Sequence, residues 1–423
     1  MNILHITAHL GGGVGKAHAA LAEAAAAGRG RVRRTQHTYA LLEAPRDTAY
    51  AERIATAGGR IVVTPSPGQL AELIEAADVV QVEWWNHPRL YALLATLPLP
   101  AMRLALWVHI SGLAPPLLPT GLVALADQTL FTSACSLAAP NLKPLIAERP
   151  EAFEVANSGY GFPAPNRNAC PTGQLKYGYL GTLDFIKMHP GVFDVIDAVE
   201  GDIRVSFFGH LDPTGEVAAR AAAMKHPGRV RFEGYAADPQ AVLGKLDVFL
   251  YLLAPGHYGT AENALVEAMS VGAAPIVWNN PAETGIVRDG RNGLVVDDLA
   301  TCAALIDWTR RNPRRVAKLG AKGMYDMAQT RTPAAALRTF ARAYAALAGH
   351  PRRNRDFAAA LGRDSRTWFL STLRAEDGTR AEDTPVEDTR SGDCRLFSDM
   401  ASKGSLGHFR TCFPDDASLS GFS

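Results

Sequence analysis

The 423-residue chain has almost no net charge, since 43 Lys and Arg stand against 42 Asp and Glu and leave +1. A general nucleic-acid binder carries a basic excess, so no nucleic-acid partner is expected. Cysteine is scarce. Cys135, Cys170, Cys302, Cys394 and Cys412 are odd in number, scattered, and without the close pairs of a metal site, which argues for a reduced, cytoplasmic compartment over a disulfide framework. Uninterrupted apolar runs are missing as well. The uncharged stretch from Leu104 to Ala126 contains His109, Ser111, Gly112, Pro115, Pro116 and Pro119, which suit a strand and a loop and break the helix a membrane span would need. Met1 to Thr7 opens on a strand pattern with no basic region ahead of an apolar one, so it does not read as a signal peptide.

What is present is length and alternation. A chain of this size exceeds one hydrophobic core of roughly 250–300 residues, which predicts two domains. Buried-strand patterns at Ile3 to Thr7, Arg60 to Thr64, Val79 to Glu83, Arg103 to His109 and Gln128 to Thr132 alternate with helical ones such as Lys16 to Ala27. A second series runs Lys176 to Leu180, Arg204 to Phe208, Val230 to Phe232, Val248 to Leu252, Ala274 to Val277 and Gly293 to Val296. Strand and helix in alternation give βαβ units and parallel sheets. The fold class is α/β, with an N-terminal domain over 1–165 and a C-terminal one over 174–332. Pro163 to Gly173, rich in proline and asparagine, reads as the linker. Residues 333–350 read as a closing helix and 351–423 as a partly disordered tail, because Arg374 to Thr389 is nearly devoid of large apolar groups. Ser402 to Pro414 regains aromatics that can dock on the body.

The segment Gly259-Thr-Ala-Glu-Asn-Ala-Leu-Val-Glu-Ala-Met269 lies between the strand pattern Asp247 to Leu253 and the next, Val271 to Val277. In parallel sheets ligands bind at the carboxyl ends of strands, where helix N-termini aim amides at anions. Glu262, Asn263 and Glu267 therefore sit at a ligand mouth. This segment resembles the nucleotide-sugar region of glycosyltransferase family four, whose fold, GT-B, is a pair of Rossmann-like domains facing across a cleft. The family pattern is two glutamates separated by seven residues, the second followed by Ala-Met. Glu267 matches the second, Gly259 stands where the first belongs, Asn263 matches a frequent family residue, and Glu262 occupies a position where the family commonly has glycine.

The resemblance implies a retaining, hexosyltransferase-like enzyme that moves a sugar from a nucleotide-diphosphate donor to an acceptor hydroxyl in polysaccharide, glycolipid or glycoconjugate biosynthesis. It assigns catalytic roles to His109 and Lys187, and Glu262 joins them as the substitute, from a neighbouring backbone position, for the missing first glutamate. His109 follows the Leu104 to Val108 strand and matches the family's histidine near the donor sugar. Lys187 lies within about one residue of the family's diphosphate-neutralising lysine, where a fixed cation stabilises the departing charge. Donor contacts fall on Gly12, Gly13, Gly181, Thr182, Gly234, Tyr235, Gly259, Thr260, Asn263 and Glu267. Thr182 stands where the family often has arginine, while Gly234 and Tyr235 lie where it meets the nucleobase, and Glu267 would hold the ribose hydroxyls.

Gly11-Gly-Gly-Val-Gly-Lys16 is not a P-loop, which would need glycine at Leu10 and Ser or Thr at Ala17. Either it brings amides to a diphosphate or it is a tight turn into the helix. Glu83-Trp-Trp-Asn-His87 is read as an acceptor-side surface, the alternative being tryptophans packed beneath a loop. No Asp-x-Asp pair occurs, so no metal-diphosphate clamp, no metal and no cofactor are expected. The acceptor is a sugar, a lipid-linked molecule or a small molecule, and the basic run Arg310 to Lys318 either touches an anionic membrane or is a solvated helix end. A nucleotide-sugar epimerase of the same fold and a non-catalytic nucleotide-sugar-binding scaffold remain alternatives.

Overall fold

The computed structural model describes residues 1–28, 35–45, 47–163, 173–373, 404–420 and 422. The expected linker is thus largely, and the polar stretch Arg374 to Thr389 entirely, outside the described residues, as are Cys170 and Cys394. Two compact units emerge. The first comprises Met1–Ser158, Tyr258–Ala261 and Pro333–Ser423, and the second Gly159–His257 and Glu262–Thr332.

The first unit holds β1 (Asn2–Thr7), β2 (Gln36–Leu41), β3 (Arg60–Val63), β4 (Val79–Trp84), β5 (Leu104–Val108), β6 (Gln128–Phe131) and β7 (Phe153–Val155). All pair in parallel, in the order β3-β2-β1-β4-β5-β6-β7. Strands covered on both faces need side chains that tolerate burial all round, and Leu-Ala-Leu-Trp-Val in β5 meets that demand with every residue fully buried. Leu4, Ile6, Val80, Val82, Trp84, Leu106 and Val108 form one apolar core, each contributing about 1.5–3 kcal/mol on burial. The alternate residues His5, Glu83 and Trp107 face His18 of the Gly12–Ala27 helix, and Gly15 lets that helix close on the loop before it, since a Cβ there would stand 2.2 Å from the Leu10 carbonyl oxygen.

The C-terminal residues belong to this unit. Phe340 of the Pro333–Ala348 helix meets Trp107 edge-on at 4.8 Å, and Arg352 donates to the carbonyls of Glu75 and Ala77. Phe357, Trp368, Phe369, Phe409 and Phe422 are buried in its core. Aromatics on both sides of the polar stretch thus pack as body, and the docking expected of the last aromatic segment is seen.

In the second unit β8 (Tyr177–Leu180), β9 (Val205–Phe208), β10 (Val230–Gly234), β11 (Val248–Tyr251), β12 (Ala274–Trp278) and β13 (Leu294–Val296) are parallel in the order β10-β9-β8-β11-β12-β13. Phe193, Val205, Phe207, Val248, Phe249, Leu265 and Ile276 are among the buried side chains of its apolar core. In each sheet the winding reverses once, between β1 and β4 in the first and between β8 and β11 in the second. Crevices open at the carboxyl ends of strands at such reversals, which makes these two places the natural ligand sites.

Candidate functional site

At the reversal of the second sheet the chain collects four polar side chains. Residues 184–189 run beside the end of β11. The Ala254 amide donates to the Lys187 carbonyl at 2.8 Å, the His189 amide to the Leu252 carbonyl at 2.8 Å, and Asp184 Oδ1 accepts the Lys187 amide at 2.8 Å. This lacing brings Lys187 Nζ to 5.6 Å from the centre of the Tyr251 ring. The Tyr251 hydroxyl in turn donates to Glu262 Oε2 at 2.6 Å.

Glu262 is buried and precedes the Asn263–Ser270 helix with φ 42° and ψ 53°, a left-handed backbone. That conformation costs a residue with a Cβ about 1–2 kcal/mol, and glycine adopts it readily. Here is the physical reason for the glycine that the resembled family commonly has at this place. Strained backbone of this kind clusters at binding and active sites.

The fourth member, Glu283, was not anticipated. It sits on the Pro281–Thr284 turn after β12 and accepts a hydrogen bond from Asn280 Nδ2 at 3.2 Å. Burial, then the charge of Glu262, drives its carboxyl well above the ordinary range, outweighing Asn280 and Lys187. Two acidic side chains, Glu262 and Glu283, and the Lys187 ammonium group thus act on one another at this place. Pro-Ala-Glu-Thr reads as a turn in sequence, and only the carboxyl-end location of that turn could have marked it.

Glu267 is buried on the Asn263–Ser270 helix. Gly181 follows β8, and the Thr182 carbonyl accepts the Tyr179 hydroxyl at 3.0 Å. Gly234 ends β10 at φ +76° and Tyr235 is 85% exposed, so these two stand apart from the buried cluster. Gly259 and Thr260 group with the first unit, where Thr132 Oγ1 donates to Thr260 Oγ1 at 3.2 Å.

The first unit has its own collection at the β1–β4 reversal. Glu83, fully buried on β4, accepts Gln81 Nε2 at 2.8 Å and pairs with His5 Nδ1 at 3.0 Å on Oε1, and with His109 Nε2 at 3.0 Å on Oε2. His18 Nε2 lies 3.0 Å from Oε1. Burial opposes ionisation of Glu83, but the attraction of His18 and the hydrogen bonds from His109 and His5 hold its carboxyl well below the usual range. Desolvation lowers His5 to about 4 and His37 to about 3, so both rings are neutral near pH 7. Tyr344 donates to Gln81 Oε1 at 2.7 Å. His109, buried directly after β5, is thereby fixed by a carboxylate that sequence reasoning had placed on a surface. Gly12, at φ +55°, and Gly13 open the Gly12–Ala27 helix, whose first turn carries no acidic residue and whose N-cap, Gly11, supplies no side chain. Its first amides are therefore available to an anion.

Glu83 to His87 does not form the expected acceptor-side surface. All five residues are buried, and the Leu406–Cys412 helix packs on two of them, with His408 at 4.6 Å from the His87 ring and 6.3 Å from Trp85.

Two parallel-sheet α/β units of seven and six strands define the GT-B fold. Within it, residues 174–311 match the family described as glycosyl transferases group 1. Solved structures similar to the chain include Anabaena HepE in complex with UDP, at 17% identity and TM-score 0.61, covering 82% of this chain and 100% of that one. A glycosyltransferase from Rickettsia africae shares 13% identity at TM-score 0.62, over 83% and 99% of the two chains. The lipopolysaccharide outer core galactosyltransferase WaaB shares 14% at TM-score 0.58, over 82% and 99%. No curated protein matches the chain. Among the described residues no helix is long and apolar enough to cross a membrane.

Proposed function

We propose that the chain is a retaining glycosyltransferase that takes a sugar from a nucleotide-diphosphate donor held by the second unit. The observation that carries this reading is the cluster of Lys187, Tyr251, Glu262 and Glu283 at the sheet reversal, within the stretch that matches a glycosyltransferase family. Lys187 neutralises the diphosphate as it departs. A positive charge fixed beside an aromatic ring needs no reorganisation when negative charge develops, and such preorganised groups supply several kcal/mol. Glu262 accepts sugar hydroxyls, and protonated Glu283 donates to an oxygen without adding repulsion to the phosphates. Glu267 holds the ribose hydroxyls, with Asn263, Gly181 and Thr182 beside it and Gly234 and Tyr235 at the base. In the first unit His109, steadied by Glu83, orients a sugar hydroxyl, while Gly12, Gly13, Gly259 and Thr260 offer polar backbone groups.

The donor is handled without a metal, and the departing phosphate oxygen draws the proton from the acceptor hydroxyl on the same face of the sugar. Similar solved structures contain UDP or UDP-glucose, which favours a uridine donor. The acceptor belongs to polysaccharide, glycolipid or glycoconjugate synthesis. Purified protein incubated with a panel of nucleotide sugars, with and without acceptors, tests the reading. Acceptor-dependent glycoside with retained anomeric configuration supports it; isomerised donor without acceptor would make the chain an epimerase, and binding without turnover a scaffold.

A further inference from the structure

The side chains of His5, His18 and Glu83 form a group with more ligand character than a hydrogen-bonded core requires. They come from three elements, β1, the Gly12–Ala27 helix and β4, and their ligand atoms lie within 4.8 Å of one another. Each side chain is at most 3% exposed. The Nε2 of His18 stands 3.0 Å from Glu83 Oε1 yet off the line of a hydrogen bond, which leaves a buried nitrogen without a hydrogen-bond partner. A buried nitrogen placed in this way beside a carboxylate oxygen calls for an explanation, and a cation shared by the two is one.

We propose that His5 Nδ1, His18 Nε2 and Glu83 Oε1 bind a zinc ion. Two imidazoles and a carboxylate are a zinc set, with bonds of about 2.0–2.2 Å. Ligand atoms 3.0 Å apart, as found for both His5 and His18 against Glu83, subtend about 95° at an ion about 2.0–2.1 Å from each. For these two pairs, opening toward the tetrahedral angle takes a spread of about 0.3 Å.

The groups behind the ligands fit as well. His5 uses Nδ1 toward the site, and its Nε2 lies 2.8 Å from His37 Nδ1, so the outer nitrogen donates to a partner as ligating histidines do. Gln81 and His109 hold the two oxygens of Glu83, and Tyr39 stacks on His5 at 4.5 Å while Trp107 meets His18 edge-on at 5.1 Å. The ion would lock Glu83 and, through its other oxygen, the ring of His109.

A second group, His87, His408 and Cys412, is less suited. The Nδ1 atoms of both its histidines accept backbone amides, from Arg89 and Gly404, each at 3.2 Å, so that nitrogen is already engaged in each ring.

The test is zinc analysis and cobalt titration of the full-length chain. After dialysis against a metal-free buffer and reconstitution, one zinc per chain is expected in the wild type and in Cys412→Ser, with loss of at least tenfold in affinity in His18→Phe and Glu83→Gln. Cobalt should give visible d–d bands without thiolate charge transfer, a readout on the wild type that does not depend on the variants folding. Wild-type protein that takes up neither metal overturns the proposal, as does metal lost in Cys412→Ser and kept in His18→Phe. Sugar transfer need not be active for either result, so the outcome stands apart from the glycosyltransferase reading.

Discussion

In the first unit the central strands β1 and β4 carry His5, Gln81 and Glu83 within the sheet, whereas in the second β8, β11 and β12 carry no histidine, acid or base. Both sheets are parallel and covered on both faces, so the same burial constraint acts on each. On these strands the second unit satisfies it with apolar side chains, and Lys187, Glu262 and Glu283 stand past the strand ends. The first unit satisfies it by giving one carboxylate enough partners to remain ionised. Removing a charge should therefore damage stability in the first unit and chemistry in the second.

Glu83→Ala is the harshest test of that contrast. Deleting one member of a buried charged network leaves the others unpaired, and a loss of about 3–5 kcal/mol is expected in urea unfolding. Next comes Glu262→Gly, which loses the Tyr251 hydrogen bond but relieves a left-handed backbone; the two terms nearly cancel, and stability should stay within about 1 kcal/mol of wild type. Turnover of the donor by the same variant should fall at least tenfold. Large unfolding by Glu262→Gly, or mild behaviour by Glu83→Ala, would reverse the comparison.

Acid and base should also act on the units with opposite sign. In the metal-free protein His5 and His37 have folded values depressed to about 4 and about 3 from 6.5, so the unfolded chain takes up protons first, and the first unit loses stability as pH falls below 6.5, by up to about 1.4 kcal/mol per pH unit per group. Glu283 has its folded value raised above 4.5, so its contribution is full below that pH and declines as pH rises. Amide hydrogen exchange, corrected for intrinsic rate, should show protection of β1 and β4 rising between pH about 5 and about 7 while that of β11 and β12 is flat or falls. Smallest of all is Glu283→Gln, an isosteric copy of the protonated acid, which should change stability at pH 7 by less than about 1 kcal/mol and flatten the second unit's dependence on pH.

Most of the fold was legible because buried parallel strands write themselves as apolar runs; β5 and β11 are of that kind. Gln36–Leu41 escaped because its polar start hides the run, and Phe153–Val155 because three residues give no period. The helix carrying Glu267 was legible, as was the location of Lys187 beside a strand end. Glu283 and the histidines of the first sheet were not, since each is a single polar residue whose partners lie far along the chain, with His5 and Glu83 78 positions apart. Their meaning comes from register, which sets His5 opposite Gln81 and Glu83 opposite Trp107 on one face.

Calorimetric titration of UDP into wild type and Lys187→Ala tests donor binding by the second unit most directly. A charge-assisted contact worth about 1.5–3 kcal/mol predicts a Kd raised roughly 10- to 150-fold in the variant, with the thermal transition unmoved. Equal affinity in the two proteins would contradict the account.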